Sequence, residues 1–212
     1  MCLVSILKNS QGHPDRVFLK KEVFMKQIKR KLSIIIPRSI QNFIKKRFIK
    51  KGQNTFICKP FRIDQPKQIK IGREGYVGDD STLSCYGGKL TIGDNFYATR
   101  NLNVYCGEEI EIDADVLIGS YVLITDLSHG INPEDEKNYQ KQAITTKPVF
   151  IGKGCWLGDK VSVLPGTHIG EKCVVGSNSV VRGEIPPFSM VAGNPGKVVK
   201  RWCAIKKEWI KV

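Results

Sequence analysis

The stretch IGKGCWLGDKVSVLPGTHIGEKCVVGSNSVV, residues 151–181, has an aliphatic side chain at every sixth position. These aliphatic residues are Ile151, Leu157, Val163, Ile169, Val175 and Val181. Glycine often follows the aliphatic residue, and a small side chain such as Cys155 or Cys173 stands four places beyond it. A period of six fits neither a 3.6-residue helix nor an alternating strand, and it is typical of a parallel β-helix. The sequence therefore predicts an all-β solenoid.

Each six-residue repeat predicts one short strand and one corner of a three-sided coil. The aliphatic side chain points toward the coil axis, and glycine permits corner conformations that a Cβ would penalise. A single coil buries little apolar surface, whereas stacked coils bury one continuous column. Less regular repeats precede residue 125, and the slips between them predict loops at the corners. Their aliphatic positions are Ile71, Val77, Leu83, Ile92, Ala98, Val104, Ile112, Ile118 and Ile124.

The repeat ends in IPPFSMVAGNPGKVVKRW, residues 185–202. This ending resembles the last coil and exit of the hexapeptide-repeat acyltransferases, in particular the maltose, galactoside and polysaccharide O-acetyltransferase group. The resemblance covers residues 70–202. It implies a left-handed β-helix, acetyl-CoA as the acyl donor, and a homotrimer in which the adjacent subunit completes each site.

The repeat pattern divides the chain into three parts. Residues 1–55 are expected to be a basic, helical N-terminal extension, in which the contribution of residues 1–24 stays open. Residues 56–195 are expected to form the β-helix, interrupted by a polar excursion loop at residues 125–148. A loop of this length between regular elements is usually functional. Residues 196–212 are expected to form a short basic helix that packs through Trp202, Ile205 and Trp209.

Composition limits the partners and the cellular compartment. The chain has 34 Lys and Arg against 20 Asp and Glu, a formal charge of +14, which favours anionic partners. Seven cysteines without a CxxC pair argue against a disulfide or zinc framework, so we expect reduced thiols and a cytoplasmic protein. No apolar run approaches the ~18 residues of a membrane-spanning helix, and no signal-peptide pattern is recognised.

Residues 26–51 are strongly basic, contain no acid, and interleave apolar side chains. Ile40, Phe43, Ile44 and Phe48 have helical spacing, which predicts an amphipathic helix. Two interpretations stay open: the apolar stripe packs on the β-helix and the basic face is solvated, or the helix lies on an anionic membrane. Nucleic acid is not an expected partner, because no nucleic-acid module follows.

His129, in TDLSHG at residues 125–130, lies at the start of the excursion loop. It resembles the histidine that serves these acetyltransferases as general base. Attack of an alcohol on a thioester needs a base with a near-neutral pKa that takes the hydroxyl proton. A lone loop histidine without such context is more often structural. Asp126 is expected to orient the ring or to bind the acceptor, with a turn-capping role as the alternative.

Three residues before the loop are candidates for acceptor binding. Thr99 stands where the sugar acetyltransferases often have an acceptor-binding asparagine. Asn101 and Asn103 lie close by and alternate with Leu102 toward one face, so either is a candidate substitute for that asparagine.

The resemblance also implies residues for coenzyme A, whose pantetheine arm lies along the β-helix like an added strand. The expected contacts are Trp156, Gly158 and Asp159 near the thiol, Ser177 and Arg182 along the arm, and Lys197 with Lys200 near the phosphates. Two alternatives stay open: Trp156 packs against a neighbouring subunit, and the two lysines are ordinary surface charge.

These observations favour an acetyl-CoA-dependent O-acetyltransferase acting on a saccharide of the polysaccharide, lipopolysaccharide or capsule type, with a possible place on the inner face of the membrane. An amino sugar or antibiotic as N-acyl acceptor is an alternative. A β-helical carbonic anhydrase needs three zinc-binding histidines, and only His129 and His168 lie in the repeats. A catalytically silent β-helix used for assembly is a further class. No metal is expected.

Overall fold

Three parallel sheets form the sides of a β-solenoid of seven coils, as the six-residue period predicts. The computed structural model describes residues 36–212, so the expectations for residues 1–35 lie outside the described residues. Within the described part, one helix, α1 (Arg38–Lys45), and a 3₁₀ turn (Lys46–Phe48) precede the first coil. No helix in this range is long and apolar enough to cross a membrane.

The strands follow in coil order. Coils one to four contain β1 (Lys50–Lys51), β2 (Phe56–Ile57), β3 (Arg62–Asp64), β4 (Ile69–Ile71), β5 (Tyr76–Val77), β6 (Thr82–Cys85), β7 (Lys89–Ile92), β8 (Tyr97–Ala98), β9 (Asn103–Cys106), β10 (Glu109–Ile112), β11 (Leu117–Ile118) and β12 (Leu123–Thr125). The excursion loop adds β13 (Leu127–Ser128), a 3₁₀ turn (Tyr139–Lys141) and β14 (Thr145–Thr146). Coils five to seven contain β15 (Val149–Ile151), β16 (Trp156–Leu157), β17 (Ser162–Val163), β18 (His168–Ile169), β19 (Val174–Val175), β20 (Val180–Val181), β21 (Glu184–Ile185) and β22 (Ser189–Ala192).

Strands one coil apart pair in parallel and define three faces. The first face has the order β1-β4-β7-β10-β15-β18-β21, and the third face has the order β3-β6-β9-β12-β17-β20. The second face runs β2-β5-β8-β11-β16-β19-β22 and is extended by β23 (Lys197–Cys203) and β24 (Glu208–Lys211). The arrangement confirms the parallel β-helix that the six-residue repeat predicts.

The aliphatic residue of each repeat forms the core, which confirms the prediction from the period. All six aliphatic residues of residues 151–181 are at most 1% exposed. On the second face the inward column contains Ile118, Leu157 and Val175, which are in direct register. Cys155 and Cys173 are also buried, and each thiol donates to a backbone carbonyl at 3.1 Å. These cysteines therefore act as small buried side chains.

The predicted C-terminal helix at residues 196–212 is wrong, because this segment forms the antiparallel hairpin of β23 and β24. β23 pairs with β22, and Trp202 packs edge-on against Trp209 with ring centroids 5.6 Å apart. The physical reason is the open edge of β22, whose unpaired backbone groups a strand satisfies and a helix does not. Ile205, expected on a packing face, lies in the turn and is 94% exposed.

The solenoid begins at Lys50 rather than at residue 56. β1 pairs with β4 in the register Lys50 to Lys70, and Ile49 is buried ahead of it. The preceding 3₁₀ turn ends at Phe48. The boundary predicted at residue 55 is therefore too late, because the first two-residue strand has no aliphatic residue of its own to mark it.

Candidate active site

The excursion loop leaves the solenoid between β12 and β15, and a short antiparallel pair closes its base. β13 and β14 pair in the register Leu127 to Thr146 and Ser128 to Thr145. His129 follows β13 directly and its side chain is exposed. No hydrogen bond to its imidazole is present within residues 36–212. The histidine therefore stands at the fixed root of the loop with its ring open to a reactant.

Asp126 fixes that root to the coil beneath it. Its carboxylate accepts hydrogen bonds from the backbone amides of Gly107 at 2.6 Å and Glu108 at 2.9 Å. Its carbonyl accepts from the Lys147 amide at 2.8 Å, and its own amide donates to the Tyr105 carbonyl at 3.3 Å. The residue is fully buried. This placement corrects the expectation that Asp126 binds the acceptor, and it agrees with the turn-capping alternative.

Gln142 holds the middle of the loop together, although no sequence pattern distinguishes it from other loop amides. Its Oε1 accepts from the Asn132 amide at 3.0 Å, and its Nε2 donates to the carbonyls of Asn132 at 2.8 Å and Lys137 at 3.1 Å. The side chain is buried against Gly130, the neighbour of His129. A Cβ added at Gly130 would lie 2.8 Å from Oε1 of Gln142, so only glycine fits there.

A row of short polar residues follows the second-face strands, at the corner where the chain turns toward the third face. We call Thr99, Ser120, Asp159 and Ser177 the polar corner. The hydroxyls of Thr99 and Ser120 are 2.8 Å apart, and the Ser120 amide donates to Asp159 Oδ1 at 2.6 Å. Asp159 and Ser177 stand on successive coils, and a Cβ at Gly158 would lie 2.7 Å from Ser177 Oγ. Candidate acceptor and donor residues therefore share one edge, and Ser120 joins them although the sequence did not single it out.

The two candidate asparagines lie just beyond this corner. Asn101 occupies a left-handed turn position with φ of 52°, a conformation that asparagine tolerates better than most residues. Asn103 begins β9, is half-buried, and its Nδ2 donates to the Asn101 carbonyl at 3.0 Å. Leu102 between them is buried. Both asparagines thus face outward, as their alternation with Leu102 predicts.

The remaining donor candidates do not all gather at this edge. Trp156 is 51% exposed on the second face, in register with Leu117 and Val174. Lys197 and Lys200 are exposed on β23, at the same face of the last coil. Arg182 lies after β20, beyond the far end of the third face.

His129 and the polar corner lie at opposite ends of the third face within one chain. Ser120 lies in the turn before β12 (Leu123–Thr125), whereas His129 comes after that strand, beyond Asp126 and β13. Arg182 is on the His129 side of this face. Within one chain, His129 and the polar corner therefore stand apart.

No group of three or more His, Cys, Asp or Glu side chains between residues 36 and 212 is placed to hold a metal ion. The other histidine in the repeats, His168, is exposed on the first face, where its ring stacks at a tilt on Phe150 with centroids 4.7 Å apart. His168 is thus on a different face from the polar corner.

Known proteins resemble this chain in sequence and in fold. A sequence model of the family described as bacterial transferase hexapeptide (six repeats) matches residues 148–183. A probable acetyltransferase of Mycobacterium tuberculosis is 42% identical over 135 residues, which cover 63% of this chain but 44% of that protein. A putative lipopolysaccharide biosynthesis O-acetyltransferase of Escherichia coli is 36% identical over 159 residues, which cover 72% of this chain and 81% of that protein.

Among solved structures, a galactoside acetyltransferase in complex with coenzyme A superposes with a TM-score of 0.56 at 25% identity. The superposition covers 84% of this chain and 80% of that structure. The fold, the repeat and the Escherichia coli relative, most of whose length is matched, lead to one conclusion. The chain belongs to the hexapeptide-repeat acetyltransferase family.

Proposed function

We propose that this protein transfers the acetyl group of acetyl-CoA to a hydroxyl of a saccharide, of the kind found in lipopolysaccharide or capsular polysaccharide. The observation that carries the proposal is the exposed imidazole of His129 at the hydrogen-bonded root of the excursion loop. The similarity to a putative lipopolysaccharide O-acetyltransferase supports a saccharide acceptor. The coenzyme A bound to the related galactoside acetyltransferase supports the donor.

In the proposed reaction, His129 takes the proton of the acceptor hydroxyl as that oxygen attacks the thioester carbonyl carbon. The carbon–sulfur bond then breaks, the acetyl group stays on the saccharide oxygen, and the coenzyme A thiolate receives the proton from the imidazolium. A base of near-neutral pKa speeds such a step by about 10²- to 10⁴-fold. No metal takes part in these steps.

The acceptor is proposed to bind at the polar corner, where Thr99 and Ser120 offer hydroxyls and Asn101 and Asn103 offer outward amides. Amides and hydroxyls suit a saccharide because they both donate and accept hydrogen bonds. Asp126 has no place in this set because its carboxylate is buried.

The donor is proposed to run along the same edge toward the last coil. Trp156, Gly158, Asp159 and Ser177 would flank the pantetheine arm; Lys197 and Lys200 would meet the phosphates as point charges. Arg182 lies beyond the opposite end of the third face, the end at which His129 stands. We therefore assign Arg182, like His129, to the site formed with a neighbouring subunit's polar corner.

Assembly as a homotrimer is proposed because the two halves of the site are separated in one chain. An outward row on the second face supports it: Phe56, Tyr76, Tyr97, Leu117 and Trp156 are in register, and Tyr76 stacks on Tyr97 with centroids 4.9 Å apart. An exposed apolar row of this length favours a protein partner. A second subunit packed there would bring its own His129 toward the neighbour's polar corner.

The test is release of free thiol from acetyl-CoA with a panel of oligosaccharide and nucleotide-sugar acceptors. Wild type is compared with His129→Ala and with His168→Ala, which removes an exposed imidazole from the first face. We expect saccharide-dependent release that falls by at least 10²-fold in His129→Ala and is unchanged in His168→Ala. Equal loss in both variants, or release without any saccharide need, would overturn the proposal.

A further inference from the structure

The helix that precedes the solenoid turns its apolar residues outward. Phe43 is 52% exposed, Ile44 46% and Phe48 56%, while the buried residue of α1 is Asn42. An amphipathic helix normally does the opposite and packs its apolar stripe on the core. The interpretation in which this stripe covers the β-helix is therefore wrong for these residues.

A polar anchor explains how the helix end is held in this orientation. The Asn42 side-chain amide donates to the carbonyls of Phe61 at 2.7 Å and Pro60 at 3.2 Å, and its oxygen accepts from the Ile63 amide at 3.2 Å. Lys45 donates to the Ile63 carbonyl at 2.8 Å. Because these contacts fix the backbone, the outward direction of Phe43, Ile44 and Phe48 is built into the fold.

Positive charge surrounds these apolar side chains. Residues 36–63 contain no Asp or Glu. Arg47 and Lys50 are exposed, and neither forms an ion pair with any residue of the described chain. The Arg47 guanidinium and the Lys46 ammonium lie 5.3 and 5.0 Å from the centre of the Phe43 ring. We call Phe43, Ile44, Arg47, Phe48 and Lys50 the basic apolar surface.

We propose that the basic apolar surface docks this protein on the headgroup region of an anionic lipid bilayer. Aromatic and aliphatic side chains surrounded by Lys and Arg are the side-chain chemistry that inserts among acidic headgroups. Each basic residue near such a surface strengthens binding by about fivefold, and the apolar side chains add buried area. A second copy of this chain offers little complementary charge, since each chain carries +14. The docking does not depend on the acetyl transfer.

The test is co-sedimentation of the full chain with vesicles of phosphatidylcholine alone and with vesicles containing phosphatidylglycerol. We expect binding to the anionic vesicles, weakened by added salt, and little binding to the neutral ones. The variant Arg47→Gln/Lys50→Gln should bind about 30-fold more weakly, at about fivefold for each charge. Phe43→Ala/Phe48→Ala should bind on the order of tenfold more weakly at every salt concentration.

Matched controls come from the C-terminal hairpin turn. Lys206→Gln/Lys207→Gln removes the same charge, and Ile205→Ala removes an exposed aliphatic side chain, both far along the chain from α1. These variants should bind within about twofold of wild type. An equal loss in the control pair would mean that net charge alone drives binding, and that result would overturn a specific surface.

Two further measurements distinguish the other occupants. Light scattering of Phe43→Ala/Phe48→Ala should give the same oligomer mass as wild type; dissociation would identify the surface as a subunit contact and refute the proposal. In Phe48→Trp, the fluorescence of the added tryptophan is obtained by subtracting the wild-type emission spectrum, since the chain has three other tryptophans. This difference spectrum should shift to the blue only when anionic vesicles are added. A blue-shifted difference without vesicles would show that other protein residues cover the surface, which also refutes it.

Discussion

The carboxylate of Asp126 lies 2.6 Å from the backbone amide of Gly107, and this contact joins the root of the excursion loop to the coil that precedes it. The same carboxylate also accepts from Glu108, so two amides depend on one buried acid. His129 is three residues further along. The position of the proposed general base is therefore set by backbone contacts of a residue that does not itself meet the reactants.

Replacing Asp126 by Ala should lower the free energy of unfolding by about 3 kcal/mol, because the backbone amides of Gly107 and Glu108 lose a buried, charged acceptor. The turnover number should fall as His129 loses its fixed position, with little change in the KM for acetyl-CoA. Urea denaturation and steady-state kinetics measure both effects. Asp135→Ala, which removes an exposed carboxylate from the same loop, is the control and should cost less than about 1 kcal/mol. Equal costs for the two variants would contradict the anchoring role.

Gln142→Glu tests whether the loop interior positions His129. In the wild-type protein, the Nε2 amide of Gln142 donates to the carbonyls of Asn132 and Lys137. The substitution keeps the Oε1 acceptor but replaces this donor by a carboxylate oxygen, which the two carbonyl oxygens repel. We expect the turnover number to fall by about tenfold while the KM for acetyl-CoA stays constant, since small displacements of a catalytic group are costly. Gln140→Glu places the same charge on the exposed loop surface and should leave both constants unchanged. A matching loss in Gln140→Glu would point to loop charge rather than geometry.

Asp64 ties the segment after α1 to the first coils and predicts a pH-dependent stability. Burial raises the pKa of this carboxyl, but hydrogen bonds from Arg62 and Ser84 and the charges of Arg62 and Lys45 outweigh it, so the pKa lies below its usual value. A depressed pKa stabilises the fold above the unfolded-state value near 4, and the stabilisation is lost as pH falls through the folded-state value.

Asp64→Asn should therefore lower the free energy of unfolding by about 1 kcal/mol at pH 7, a figure reduced for solvent screening of the partly exposed partners. The difference from wild type should disappear at acidic pH, below the depressed pKa. Urea denaturation from pH 7 down to acidic pH below the depressed pKa measures it. Glu136→Gln, an exposed loop carboxylate, should show no such trend, and a constant difference for Asp64→Asn across the range would rule out the linkage.

Leu117→Lys tests the proposed subunit contact. Leu117 lies in the middle of the outward row on the second face, and an ammonium there would be buried without a partner. We expect the oligomer to dissociate in light scattering while the circular dichroism of the solenoid is retained. Tyr139→Lys changes an exposed side chain of the excursion loop and should leave the oligomer intact. An unchanged mass for Leu117→Lys would exclude this face from the interface.

The repeat predicted the solenoid because its period reports a geometric requirement of the regular coils, in which each strand places one aliphatic residue in the core. The same logic fails where no repeat operates. Residues 196–212 carry valine and tryptophan in an order that suits a helix or a strand, and only the open edge of β22 decides for the strand. Asp126 was predicted to serve the site because it lies close to His129 in the sequence. Its carboxylate instead binds the backbone amides of Gly107 and Glu108 in the preceding coil, a contact that appears only once the coils are stacked.

The candidate site was predictable to the extent that corner positions follow the repeat. Asp159 and Ser177 stand in equivalent places on successive coils, three six-residue repeats apart, so the repeat pattern brings them together. Ser120 escaped notice because nothing in the sequence links it to Thr99, 21 positions away, before the coils are stacked. Gln142 was not predicted because its side chain bonds to backbone groups, and such contacts do not require particular residue types at the partner positions.

Mixed oligomers test whether one site needs two chains. His129→Ala lacks the proposed base, and Ser177→Trp should block the donor edge with a bulky exposed ring, so each variant alone should be inactive. If His129 of one subunit serves the polar corner of the next, each trimer that contains both variants has both intact halves at about a third of its sites. Co-expression with two affinity tags, followed by thiol-release assays on the doubly purified oligomer, measures this fraction. A pairing of His129→Ala with His129→Gln must stay inactive. Recovery only in the first pairing places the site between subunits, whereas no recovery in either would return the whole site to one chain.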